Sequence, residues 1–170
     1  MAPTLNRSLA DLGALLHLVD PTLPIGGFNH SNGLETFVQQ GVVSTKPSLE
    51  EYVQAQLLQN WVYNDGAYLS LAFEAMATND FDRLCELDHS LSATKIARES
   101  REGSFKLGLR LLKIFIRYEQ HPMLIQFQQA IQNKTVQGYF PIVFAMVAQA
   151  MGLSKADTLY AFYYNAAVGT

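Results

Sequence analysis

Leu9, Leu12, Leu15, Leu16 and Val19 recur every three to four positions, which predicts an amphipathic helix over residues 8–19. Pro21 and Pro24 end it and force extended backbone on the residues before them. Gly26 and Gly27 then allow backbone shapes that other residues resist. Asn32, with Glu35 three positions on, predicts an N-cap and a second helix to about Gln40, stopped by Gly41. After Pro47, the pair Ser48 and Glu51 fits a capping box. Residues 49–76 run without proline, and Gly66 marks a break or a close packing contact. Asp80 caps a shorter helix through about Leu87, and a long helix follows from about Ser92 to Tyr118. His121 and Pro122 end that helix, and residues 123–132 form another. Pro141 suits the first turn of an apolar helix to Met151, and Gly152 closes it. Ser154 with Asp157 starts a last helix to about Val168. No period-2 strand pattern, low-complexity tract or fixed repeat interrupts this order. The expected fold is therefore all-α: one domain spanning 1–170, a bundle of roughly seven to nine helices.

Composition sharpens the picture at the surface. Apolar residues make up 49% and charged residues 16%, against roughly 25% charged in a typical soluble domain. Either the core is large or apolar surface is reserved for partners. The net charge of −3 and pI near 5.7 argue against a general nucleic-acid binder. The charge is uneven. Residues 1–90 hold eleven acids and only Arg7, Lys46 and Arg83 as bases. Residues 91–119 hold Lys95, Arg98, Arg101, Lys106, Arg110, Lys113 and Arg117 against Glu99, Glu102 and Glu119. At 100° per residue, Lys95, Lys106, Arg110, Lys113 and Arg117 share one arc of the long helix. Ile96, Leu107, Leu111, Leu112 and Phe115 take the other side. The stripe is either a solvated helix face or a docking face for an acidic partner. Gly103 and Gly108 weaken this helix by roughly 1 kcal/mol each, which points to close approach of a neighbour and a central position.

Catalytic patterns are sparse. There is no GxxxxGK[ST] loop, GxSxG elbow or HExxH helix. Gly26, Gly27 and Gly33 lack the preceding strand and following lysine of a phosphate loop. Cys85 is the lone cysteine, so no intramolecular disulfide or Cys-rich zinc site is expected. Cys85 and His89, four apart with Asp82 and Asp88 nearby, could present two metal ligands on one helix face. A buried structural thiol is the commoner outcome. His17 reads as a core histidine and His121 as a helix-end residue near a C-terminal dipole. No basic stretch leads into a long apolar run at the N-terminus, and no apolar window of about 18 residues is present. The expected compartment is the cytoplasm.

The sharpest segment runs Pro21-Thr22-Leu23-Pro24-Ile25-Gly26-Gly27-Phe28-Asn29-His30-Ser31-Asn32-Gly33-Leu34-Glu35. A rigid turn with Ile25 and Phe28 plugging the core explains its prolines, glycines and apolar residues. It explains the loop residues His30 and Ser31 less well. The segment resembles the P-x-LPIGGF-x-[HY]-S-x-GLE signature of the urease accessory protein F family. Glu99, Arg101, Ser104, Gly108, Arg110, Leu111 and Leu112 resemble that family's E-x-R-x-x-S-x-x-x-G-x-RLL helix. Gly138, Pro141, Val143, Phe144 and the AMGLS-like run that follows resemble its G-x-x-PVVFG…LGLS region. Tyr139 stands where many members have His, and the family usually continues beyond the position of Thr170 into a helix and an RLIPLGQ-like tail.

The resemblance implies an all-helical, dimeric, non-catalytic protein. In that family's role it bridges a urease-binding accessory protein (D, also called H) and a nickel-carrying GTPase (G), which together insert nickel into apo-urease. No cofactor is then expected on this chain, since nickel and GTP are handled by the complex. The residues expected to shape the docking and dimer region are Pro24, Ile25, Gly26, Gly27, Phe28, His30, Ser31, Gly33 and Glu35, with Arg98, Arg101 and Arg110 on the basic helix. Two alternatives stand beside the scaffold. One is a regulator of the partner GTPase, with an arginine such as Arg101 acting as a finger. The other, ranked low, is a small metalloenzyme around Cys85 and His89.

Overall fold

The computed structural model describes residues 8–26 and 33–169. Among the described residues the secondary structure is helical, without strands, so the all-α expectation holds. Helix α1 spans Leu9–Leu18. Its cap is reciprocal: the Asp11 N–H donates to Ser8 Oγ at 3.0 Å, and the Ser8 N–H donates to the Asp11 carboxylate at 3.2 Å. After the proline turn come α2 (Leu34–Gln39) and α3 (Lys46–Gln56). A π-helical stretch, Leu57–Gly66, joins α3 to α4 (Ala67–Ala77) in one continuous run. Then follow α5 (Phe81–Thr94), α6 (Arg98–Phe115), α7 (Pro122–Gln132), α8 (Phe140–Ala150) and α9 (Lys155–Val168).

Helix α8 is the centre. Every residue from Pro141 to Ala148 is buried, and a helix that is apolar all round must be covered all round. Helices α4 and α6 supply the broadest cover. Gly108 on α6 faces the chain entering α8, and a Cβ there would collide with the Gly138 carbonyl oxygen. The expected close approach is real, and it brings α6 against α8. At Gly66 a Cβ would meet the Tyr163 hydroxyl of α9, so the closing residue of the π-helical stretch is a packing contact too.

The α8 start needs partners for N–H groups that no helical carbonyl can reach. Asp88, fully buried on α5, accepts from Gln137 at 2.6 Å and from Gly138 and Tyr139 at 3.0 Å. Ser104 Oγ on α6 accepts from Phe140 at 3.2 Å. Tyr139 is buried, and its hydroxyl donates to Ser92 Oγ at 3.0 Å. Two helices thus hold the entry to the core helix by side chains.

Several expected boundaries move. The cap of α3 is Thr45 with Ser48, so the helix begins before Pro47, which fits its first turn. Gly33, at φ 94°, opens α2 without a side-chain cap; Asn32 lies outside the described residues. Helix α5 runs through Leu91 to Thr94, because Leu84, Leu87 and Leu91 all bury. The chain then breaks at Lys95–Ala97, and α6 starts at Arg98. Ile96 sits in that break, 89% exposed, and is not a core residue. His17 is exposed, its ring 4.9 Å from that of Phe115. His121 begins α7: its Nδ1 accepts the Met123 N–H at 3.2 Å.

Candidate functional site

The proline–glycine turn is built from local bonds. The Asp20 carboxylate accepts from both the backbone N–H and the hydroxyl of Thr22, each at 2.7 Å. These two bonds hold its carboxyl below the ordinary aspartate range. The Leu23 N–H returns to the Asp20 carbonyl at 3.1 Å, and the Ile25 N–H to the Leu23 carbonyl at 2.7 Å. Leu23 and Ile25 pack on the core while Pro24 stays exposed. Gly26 has φ 78°, a backbone region that favours glycine.

Arg110 reaches this turn from α6. Its Nη1 donates to the Ile25 carbonyl at 2.8 Å, and a Cβ on Gly26 would collide with the same guanidinium. Turn and basic helix thus touch at Ile25, Gly26 and Arg110. Gly27, Phe28, His30 and Ser31 lie outside the described residues. Gly33 and Glu35 resume the chain at α2, where Glu35 is exposed.

The other two arginines gather elsewhere. Arg98 is exposed and bonds Glu102 at 2.7 Å. Arg101, half-buried, donates to the Lys95 carbonyl at 3.0 Å and braces the break between α5 and α6. A finger role for Arg101 would have to give up that bond. Lys95 leaves the expected stripe, because it precedes α6 and turns inward to Asp65 at 2.7 Å, with side-chain exposures of 10% and 20%. Lys106, Arg110, Lys113 and Arg117 remain as an exposed cationic ridge. Among the described residues only Lys106 has a carboxylate within reach, Glu102 at 3.9 Å.

Beside the turn lies a cleft of about 1030 Å³. Its walls come from α1, the π-helical stretch, the start of α6 and α9, and both Ile25 and Gly33 border it. Sequence patterning did not reveal it, since it needs the π-helical register and the break at Lys95. Asp88 had a legible signal: a carboxylate among Leu84, Leu87 and Leu91 at helical spacing.

Cys85 and His89 do not converge on an ion-binding centre. The His89 Nε2 is taken by the Thr135 carbonyl at 2.5 Å. Burial, with Asp88 and Asp82 nearby, pushes the Cys85 thiol up. Among the described residues no three His, Cys, Asp or Glu side chains are placed to share a metal.

Latched turn, cationic ridge and cleft thus sit on an all-helical protein. Comparison with known proteins gives its family. The UreF family model matches residues 43–170. The chain is 84% identical over 169 residues to the urease accessory protein UreF of Haemophilus influenzae, covering 99% of this chain and 72% of that protein. It is 79% identical over 161 residues to the same accessory protein of Actinobacillus pleuropneumoniae, covering 95% and 71%. Against that of Bacillus sp. strain TB-90 the identity is 34% over 160 residues, covering 94% and 69%. The chain belongs to the UreF family of urease accessory proteins, which serve urease maturation and are not enzymes.

Proposed function

We propose that this chain is the scaffold that joins the D/H accessory protein to the nickel-carrying GTPase G, so that the assembly inserts nickel into apo-urease with GTP hydrolysis by the partner. The observation that carries this reading is the ridge of Lys106, Arg110, Lys113 and Arg117. Among the described residues only Lys106 of the ridge has a carboxylate within reach, and the ridge is fastened to the proline–glycine turn through Arg110 and Ile25. Exposed like charges on one helix steer and orient an acidic partner more than they stabilise the fold. Two protomers of a homodimer would present the ridge twice. Nickel and GTP reside on the partners in this reading, and the site of action is the cytoplasm.

The test is co-purification of the full chain with the D/H and G proteins, followed by mass measurement of the assembly. A defined complex containing both partners supports the scaffold. A chain that captures neither defeats it, as does a deletion strain whose urease carries its normal nickel.

A further inference from the structure

We propose that the π-helical stretch Leu57–Gly66 is a winding switch. It exchanges with ordinary α winding and so turns the α2–α3 arm against the body of the bundle. π winding is normally a single turn, whereas here it covers ten residues.

One end of the stretch is fixed. Leu69, Ala72, Ala75 and Met76 bury α4 in the core. Asp65 bonds Lys95 at 2.7 Å, and Asn64 accepts from Thr94 at 3.2 Å, so the last residues of the stretch are tied to the end of α5. The arm end is open. Leu58, Gln59 and Asn60 are exposed, and Asn60 bonds along its own helix to Gln56 at 2.5 Å. Neither α2 nor α3 buries a residue. Among the described residues, no apolar side chain of α2 or α3 belongs to the main core, which resumes at Leu69. No helix other than its own continuation packs broadly on α3. The rings of Phe37 and Tyr52 meet at 5.6 Å, so α2 and α3 move together.

One pair of residues holds the π winding. Trp61 and Gly66 are the buried residues of the stretch, and they stand five apart. Residues five apart lie about 140° apart around an α-helix, but bonding from i to i+5 brings them to one face. There Gly66 meets Tyr163 of α9, with the Trp61 carbonyl beside it. Relaxing to α winding keeps the backbone hydrogen-bonded and turns Trp61 away from that face. Ten residues of π winding make roughly half a turn less than ten of α winding. The exchange therefore carries Phe37, Val38, Val42 and Leu49, exposed apolar residues of the arm, to another side of the molecule. The switch is a property of the chain alone and does not depend on the scaffold reading.

Trp61 is the chain's one tryptophan, so its fluorescence reports the winding. In the full native chain, acrylamide quenching should resolve a protected majority and an accessible fraction of up to roughly a tenth. The turning of the arm is read from nitroxide pairs at Gln54→Cys and Gln126→Cys, both exposed positions, in a Cys85→Ala chain. Pulsed electron resonance should give two distances there. An accessible fraction and a second distance must appear together, and the absence of either overturns the proposal. Deleting Tyr63, which is 77% exposed, puts Trp61 and Gly66 four apart, where α winding buries both. The accessible fraction should then vanish and one distance remain. An accessible fraction that survives the deletion overturns the switch. So does a folded deletion variant with Trp61 exposed, because π winding is then obligatory. Gly66→Ala sets a methyl group against the Trp61 carbonyl and Tyr163, and should raise the accessible fraction several-fold. A folded Gly66→Ala chain as protected as the native one also overturns it.

Discussion

Asp88 on α5 accepts the Gly138 backbone N–H at 3.0 Å, across 50 residues of sequence. The carboxylate also takes Gln137 and Tyr139, so one side chain serves three successive donors before the core helix. Burial pushes its carboxyl up, the three N–H donors pull it back, and the net lies above the ordinary aspartate value of 3.8.

Asp88→Ala should destabilise the fold by about 2–5 kcal/mol, since it leaves three N–H groups without an acceptor in a buried place. Asp88→Asn keeps one acceptor oxygen and removes the buried charge, so its cost should be smaller, about 0–2 kcal/mol. The sign of the pH effect follows from linkage. The folded state holds this proton more tightly than the unfolded chain. The stabilisation is full below pH 3.8 and is lost as pH rises through the raised folded value. Urea titrations across mildly acidic pH should show that slope in the native sequence and not in Asp88→Asn.

Gly108 of α6 and Gly13 of α1 should respond in opposite directions to the same change. Gly108→Ala places a methyl group on the Gly138 carbonyl and must push α6 away from α8, at about 1–3 kcal/mol. Gly13 on α1 has open space around its Cβ position. Gly13→Ala should stabilise by about 0.5–1 kcal/mol through helix propensity alone. Thermal melts of the two variants give the comparison, and equal shifts would remove the packing argument.

Much of the fold was readable because its signals are local. The leucines of α1, the Ser154 cap of α9 and the proline opening α8 each act within about one helical turn. What patterning missed depends on partners far along the chain. Lys95 fits a helical stripe by angle, yet Asp65, thirty residues earlier, pulls it inward and the helix breaks there. Ile96 fits the apolar side equally well and ends in solvent for the same reason. Of the site, the turn and Arg110 were each legible, but their meeting spans 85 residues. The cleft had no signature, since a π-helical register is not encoded in an apolar period.

Arg110 separates folding from docking. Its bond to Ile25 is made at an exposed position, so Arg110→Ala should cost about 1 kcal/mol or less in stability. If the ridge docks an acidic partner, the same change should weaken capture of that partner well beyond this figure, and added salt should narrow the gap. Arg110→Lys keeps the charge and loses the planar fork. It should retain most of the steering while releasing the turn. Titration calorimetry at two salt concentrations distinguishes these effects. Unchanged affinity in Arg110→Ala would take this residue out of the docking surface.

Cys85 offers a chemical probe of α5. The thiol is half-buried on α5 between Asp82 and Asp88. Desolvation is the largest cause of its raised pKa, and the two carboxylates add to it. Alkylating reagents attack the thiolate, so the fraction available near neutral pH falls below that of an ordinary cysteine. The native chain should therefore react with iodoacetamide several-fold more slowly than the same chain in denaturant. Its rate-against-pH curve should lie to the alkaline side. Asp82→Asn removes an exposed carboxylate from the smallest of the three causes, so it should shift the curve only slightly toward acid. A native thiol that reacts as fast as the unfolded one would mean that Cys85 is neither desolvated nor held beside negative charge.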